Sequence, residues 1–231
     1  MNEIDKIYTD CPYYGAPKIT IELNRNGLGV NHKRIERLMK IMSIQAIRPQ
    51  RNTSKPNPQN PVYPYLLKKK KIFYPNQVWS TDITYVRASN SWFYLTAILD
   101  WHSRYVLSFQ LSQNLESDFC VQNLEKALKT AIPEIHNSDQ GSQFTSYDYT
   151  DILKEKNVQI SMDHRGRCFD NIFVERLWRT VKYEEIYLKD YQSFEEARQS
   201  LKEYFKIYNH RRPHQSLGYK TPAEIYFKRS S

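Results

Sequence analysis

The chain has 231 residues, 40% of them hydrophobic and 14% aromatic, with 18 Tyr, 10 Phe and 4 Trp, enough to build a core and to exclude disorder over the whole length. No apolar run approaches the roughly 18 residues of a membrane span, three scattered cysteines make neither a disulfide scaffold nor a four-cysteine zinc site, and six glycines form no phosphate-cradling loop. The 34 basic and 25 acidic residues give +9, and residues 1–75 carry that whole excess with 14 basic against 5 acidic side chains, which points to a polyanion partner, most simply nucleic acid.

Residues 1–48 read as a small all-helical domain. A weak helix over residues 17–24 meets a break at Asn26-Gly27, and a stronger one starts after Asn31, a good N-cap, with Val30 and Ile35 placed as a hydrophobic staple. Ile35, Leu38, Met39 and Met42 recur at helical spacing, while Lys33, Arg37 and Lys40 share the opposite face. The pair looks like a helix-turn-helix, with those three cations meeting DNA. A helical hairpin with a solvated basic face fits the pattern as well, and the charge asymmetry tips the choice towards DNA.

Residues 49–75 hold six of the eleven prolines and the run Lys68-Lys69-Lys70-Lys71, a composition that sustains neither helix nor central strand and reads as a linker. From residue 76 to 231 the pattern becomes α/β. Runs rich in β-branched and aromatic residues at 78–87, 92–99 and 105–111 predict an antiparallel meander. A helix over 117–130, a strand near 134–138, a helix over 147–156 and a strand over 158–162 follow. Another helix starts at Asp170 or Asn171, and one more opens with the capping box Ser193-x-x-Glu196 and runs to about Tyr208. Strands in succession followed by alternating helices and strands imply a mixed sheet flanked by helices.

Three acids stand out. Asp82 interrupts a good strand, where a short charged side chain packs badly; alone, it reads most simply as facing water from an exposed sheet face. Asp139 ends a strand and precedes Gln140-Gly141, where active-site carboxylates often stand but where aspartate is common for its local hydrogen bonds. Glu175 shares a helix arc with Asn171, Arg179 and Lys182, either as an ordinary i, i+4 surface pair with Arg179 or as a metal ligand beside cations that hold phosphates. Together, acids from a strand centre, a strand end and a helix face suit two magnesium ions, or manganese in their place, which prefer carboxylate oxygen and can drive phosphodiester displacement.

The segments Trp79-Ser80-Thr81-Asp82-Ile83-Thr84, Asn137-Ser138-Asp139-Gln140-Gly141-Ser142-Gln143-Phe144 and Asp170-Asn171-Ile172-Phe173-Val174-Glu175-Arg176-Leu177-Trp178-Arg179-Thr180-Val181-Lys182 resemble the three signature blocks of DDE transposases and retroviral integrases. The 35 residues between Asp139 and Glu175 match the separation typical of that group. The closing Tyr208-Asn209-His210-Arg211-Arg212-Pro213-His214-Gln215-Ser216-Leu217-Gly218 with Thr221-Pro222-Ala223-Glu224, and the upstream Tyr14-Gly15 and Asn31-His32-Lys33-Arg34, are similar more narrowly to second-frame transposases of bacterial insertion sequences of the insertion-sequence-three family. The resemblance implies an RNase H-like core, Asp82, Asp139 and Glu175 as catalytic metal ligands, and Lys182 near the element's terminal DNA, with Arg179 beside it. It implies as partners the terminal inverted repeats and target DNA, a multimer on DNA, and a first-frame transposase subunit. A cytoplasmic location at the nucleoid is expected. Family members usually have more residues before the Tyr-Gly block, which implies a shortened product or a start at an internal methionine.

Three rivals remain at this point. A hydrolytic nuclease of the same fold would cut without joining. A non-catalytic DNA-binding regulator would share the scaffold, but a pure binder gains nothing from acids where DNA must lie. A tyrosine recombinase lacks a convincing arginine, histidine and tyrosine set. Asp100 and Asp163 read as turn residues, and the cluster of His210, Arg211, Arg212 and His214 as a phosphate contact.

Overall fold

The computed structural model describes residues 1–47, 61–89, 91–163 and 171–228, in two compact units, Met1–Lys55 and Pro56–Ser231. The first unit is helical, with α1 (Asn2–Asp10), α2 (Ala16–Arg25) and α3 (His32–Ile41). The Asn31 side chain accepts from the Lys33 N–H at 3.0 Å and so caps α3. Gly27 at φ +81° makes the turn before it, a conformation glycine adopts without steric penalty. Ile19, Leu23, Ile35 and Met39 are buried together, with Ile4 of α1 closing the core and Val30 packed against it. The helix α1 is absent from the sequence expectation. Its two inward apolar residues, Ile4 and Ile7, are too few to make a periodic pattern before Pro12 ends the segment.

In the second unit the strands are β1 (Val78–Arg87), β2 (Trp92–Asp100), β3 (Val106–Ser112), β4 (Ile135–Ser138) and β5 (Gln159–Met162), in the order β3-β2-β1-β4-β5. The first three pair antiparallel, and β4 and β5 run parallel to β1. The expected mixed sheet is there, with strand bounds within a residue or so of those read from the sequence. Helices α4 (Asp118–Leu128) and α5 (Tyr147–Glu155) pack on one face against Trp79, Ile98 and Met162. On the other face α6 (Ile172–Glu184) and α7 (Phe194–His210) bury Val174, Leu177, Val181, Leu201 and Phe205 against Val86, Leu95 and Leu99. Among the described residues no helix is long and apolar enough to cross a membrane.

Three local findings differ from the expectations. Residues 61–75, part of the expected linker, have no regular structure yet lie on the sheet unit: Leu67 is buried with Val78, Trp101 and Ile135, and the Leu66 N–H donates to Ser161 Oγ at 3.0 Å. A segment can be irregular and still be core when tertiary contacts satisfy its backbone; the rest of the expected linker lies outside the described residues. At the start of α7, Ser193 accepts from the Glu196 N–H at 3.1 Å as expected, but the Glu196 carboxylate reaches back to the Gln192 N–H at 2.8 Å rather than completing the box. A full capping box occurs instead at Thr221 and Glu224, where α8 (Pro222–Tyr226) begins.

The closing cluster is also put to structural use. Arg212 grips Glu184 through two nitrogens, at 2.6 to 3.1 Å, and Tyr204 donates to the same carboxylate at 3.0 Å. The pair ties the end of α6 to the segment after α7. Arg212 is thus turned to a protein carboxylate, not offered to phosphate as the sequence suggested.

Candidate active site

Asp82 and Asp139 are brought together by strand register. In the parallel pairing of β1 with β4, Ser80 lies opposite Asn137. Each aspartate is two residues further on, on the same side of its strand as that pair, and adjacent strands lie about 4.8 Å apart. Asp139 stands just past the end of β4, where the chain leaves the sheet. Its carboxylate is held by the Gly141 N–H, which donates to Oδ1 at 2.9 Å.

Asp82 faces α6. The indole Nε1 of Trp178 donates to Asp82 Oδ2 at 3.0 Å, and Trp178 lies one turn beyond Glu175 on that helix. The start of α6 is anchored to the same strand, since Asn171 Nδ2 donates to the Thr81 carbonyl at 3.2 Å. Asn171 occupies the N-cap position without capping; its side chain is used to dock the helix beside Asp82. The other proposed helix start, Asp170, lies outside the described residues.

Electrostatics marks the three acids as neighbours. Burial pushes the Asp82 carboxyl up to about 7, the Asp139 charge adds to this, and Glu175 raises it further, while the Ile83 backbone and Trp178 hydrogen bonds oppose the rise. Asp139 keeps solvent access at the rim, yet the protein around it raises its carboxyl above the ordinary value, opposed by the Gly141 hydrogen bond. Glu175 is exposed on α6. Among the described residues no basic side chain is named as acting on Asp82. Unrelieved like charges on carboxylate oxygens suit a hard divalent cation. Among the described residues, however, no three acidic, His or Cys side chains already converge on one cation position. What joins the three is that the charges of Asp139 and Glu175 both act on the Asp82 carboxyl.

Of the expected DNA contacts, Arg179 is exposed and Lys182 half-buried on α6. Lys33, Arg37 and Lys40 are all exposed on α3 in the first unit, opposite the buried Ile35 and Met39. Asp100 is the last residue of β2 rather than a turn residue, and Asp163 follows β5 without regular structure. Asp100 accepts from the Asn76 and Ser103 N–H groups, both at 2.7 Å, and Asp163 accepts from Asn137 Nδ2 at 2.8 Å. The hydrogen bond of Trp178 is one that a sequence reading does not reveal. Trp178 is buried, but its one polar atom is aimed at Asp82. A buried indole needs an acceptor, and that need was the available signal.

Two Integrase core domain family models match residues 74–168 and 156–222, and an HTH-like domain model matches residues 1–52. The 31 kDa protein of insertion element IS600 from Shigella sonnei is 33% identical over 217 residues, covering 91% of this chain and 80% of that protein. Transposase InsF for insertion sequence IS3A of Escherichia coli K12 is 32% identical over 225 residues, covering 92% and 76%. Among solved structures, the catalytic core domain of HTLV-2 integrase in complex with magnesium superposes with a TM-score of 0.56 at 18% identity, over 68% of this chain and 99% of that one. The simian T-cell lymphotropic virus intasome with a PP2A regulatory subunit gives a TM-score of 0.61 at 16% identity, over 98% and 75%. The structural likenesses give the fold, an RNase H-like integrase core. By sequence, over nine-tenths of its length, the chain belongs to the bacterial insertion-sequence transposases.

Proposed function

We propose that this transposase, whose family membership makes DNA transposition its function, cuts DNA at element ends and joins the freed ends to target DNA through Asp82, Asp139 and Glu175. The observation that supports this best is the state of Asp82, whose carboxyl is pushed up to about 7 by burial, with the charges of Asp139 and Glu175 adding to the rise. Asp82 and Asp139 would hold divalent cations, with Glu175 completing the ligand set. When bound, such ions activate an attacking oxygen and stabilise the leaving one in phosphodiester displacement. The chain's own contribution is orientation and charge. Trp178 fixes one oxygen of Asp82, the Gly141 N–H fixes one of Asp139, and the docking of Asn171 on Thr81 sets where α6 presents Glu175. Arg179 and Lys182 extend the same helix arc and would hold the terminal phosphates, so that a freed 3′ end stays for a second displacement.

The test uses labelled DNA carrying the element ends, magnesium and the full chain, supplemented with a first-frame product where the element encodes one. Joined strands, and their loss in Lys182→Ala with non-specific binding kept, are the expected result. Hydrolysed fragments alone, with Lys182→Ala behaving as the parent, favour the nuclease. Binding without any cleavage favours the regulator.

The three cations of α3 supply the sequence-independent part of DNA binding in this reading. Replacing Lys33, Arg37 and Lys40 together by Ala in the full chain should flatten the log–log dependence of duplex affinity on salt by roughly two to three units, at about 0.9 per phosphate contact. An unchanged slope in a salt titration would show the helix face to be merely solvated.

A further inference from the structure

Among the described residues no strand pairs with the β4 side of β1 beyond residue 80, and the far ends of β1 and β2 carry the exposed aromatics Tyr85 and Trp92 beside Tyr94, which packs partly on the core. Tyr85 lies opposite Tyr94 and Arg87 opposite Trp92, so all four share one face. With Lys182 and Tyr187 from the end of α6 and the turn after it, they line a groove of about 610 Å³. That lies within the roughly 300–1,000 Å³ of sites that take a small organic ligand. Tyr85 is 53% exposed, Trp92 59% and Tyr187 61%. Tyr85 and Tyr94 stand 5.3 Å apart, and Trp92 and Tyr85 form a T-shaped pair at 6.5 Å.

Large exposed aromatics in a cluster mark a binding surface. The charge says for what: Arg87 and Lys182 line the groove, and among the described residues no acid does. Flat apolar faces flanked by cations and lacking carboxylates suit a nucleotide, whose base stacks while its phosphate is paired. Position agrees. Lys182 is seven residues beyond Glu175 on α6, about 10 Å along the helix axis, the length of roughly three stacked base steps on one strand.

We propose that this groove takes an unpaired nucleotide of the DNA being processed, its base stacked on Trp92 and Tyr85 and its phosphates held by Arg87 and Lys182. The inference rests on the reading of Asp82, Asp139 and Glu175 as the cleavage site only for the identity of that DNA. A base drawn out of the duplex roughly three steps from the scissile phosphate would fray the end and fix its register against the carboxylates.

The experiment compares the full chain on two probes, an oligothymidylate of twelve nucleotides and a blunt duplex of the same length, by fluorescence anisotropy at fixed salt. Trp92→Ala and Tyr85→Ala should each weaken oligothymidylate binding about tenfold, the scale of losing one base stack, and leave the duplex within about twofold. Trp92→Phe should restore most of the affinity. Arg87→Ala should weaken oligothymidylate binding and reduce its salt slope by about 0.7, the single-strand value per phosphate contact. Melting temperatures guard against misfolding, and exposed Trp92 leaves no cavity on truncation. Equal losses on both probes, or none on either, overturn the proposal. So does a Trp92→Ala variant that sediments as a smaller species with binding unchanged, since the groove would then be an interface between copies. Asp82→Asn separates the two readings: retained cleavage refutes the catalytic assignment and leaves the stacking result standing.

Discussion

Replacing Asp82 by Asn is expected to abolish DNA cleavage, by about a thousandfold or more, and at the same time to make the protein more stable. The two effects have one cause. Asp82 is held where burial and the charges of Asp139 and Glu175 oppose ionisation, so that its carboxyl is pushed up to about 7. An acid whose folded value lies above its unfolded one destabilises the fold when ionised. The penalty is absent below the ordinary value of 3.8, grows as pH rises, and is complete above about 7. A tenfold change in an acid's ionisation constant corresponds to about 1.4 kcal/mol, and allowing for the partial exposure of Asp82 the full penalty is on the order of 2 kcal/mol. Asparagine removes the charge and still offers Trp178 an acceptor, so the variant should gain that stability at pH 8 and nothing at pH 4. Chemical denaturation at both values measures it. Magnesium should narrow the difference, because a cation that binds only the folded parent raises its melting temperature by mass action. A variant that melts below the parent at pH 8, or a magnesium shift of equal size in both proteins, would remove the electrostatic account of the site.

Much of this site is legible in the sequence alone. Asp82 stands out because it breaks a strand whose other residues obey the rules of a packed sheet, and β1 has the bounds that pattern implies, Val78–Arg87. Asp139 is legible as a strand-end acid and Glu175 as the polar face of an amphipathic helix, and each has an ordinary alternative. What the sequence does not carry is the pairing of distant positions. Trp178 and Asp82 are 96 residues apart, and nothing local to either names the other. The same holds for Arg212, whose neighbours His210, Arg211 and His214 suggest phosphate, while its partner Glu184 lies 28 residues upstream. Leu67 shows the limit from the other side. Prolines and four lysines dominate its segment, so composition says linker, yet one well-placed leucine is enough to bind an irregular stretch to Val78 and Ile135. Periodicity reveals faces of regular elements and is silent about an irregular length of chain laid over them.

Gly141→Ala should lower cleavage about a hundredfold without unfolding the protein, although the residue is no ligand and touches no DNA in this reading. A Cβ at that position would sit 2.9 Å from Asp139 Oδ1, 3.5 Å from Oδ2 and 3.4 Å from Gln143 Oε1. The first distance is closer than real contacts allow, so something must move. The Gly141 backbone is the least free to do so, because its carbonyl accepts from the Phe144 and Thr145 N–H groups at 3.1 and 3.0 Å and its own N–H holds Asp139. The carboxylate of Asp139, at the end of one side chain and open to solvent, gives way most easily. For the fold this displacement costs little, and alanine in place of glycine restricts the unfolded chain in favour of the native state by about 0.4–1 kcal/mol. For the chemistry it is severe. A group that must lie within a fraction of an ångström of its partners loses roughly a hundredfold on a shift near 1 Å. Single-turnover cleavage, thermal melting and the magnesium-induced rise in melting temperature should therefore separate. The first should collapse, the second hold or rise slightly, and the third shrink, because a displaced Asp139 binds the cation less well. Ser142→Ala, at the exposed position next door, should leave all three unchanged. Full cleavage in Gly141→Ala would show that Asp139 need not be where the backbone puts it, and a fall in melting temperature matching the loss of activity would reduce the glycine to a packing role.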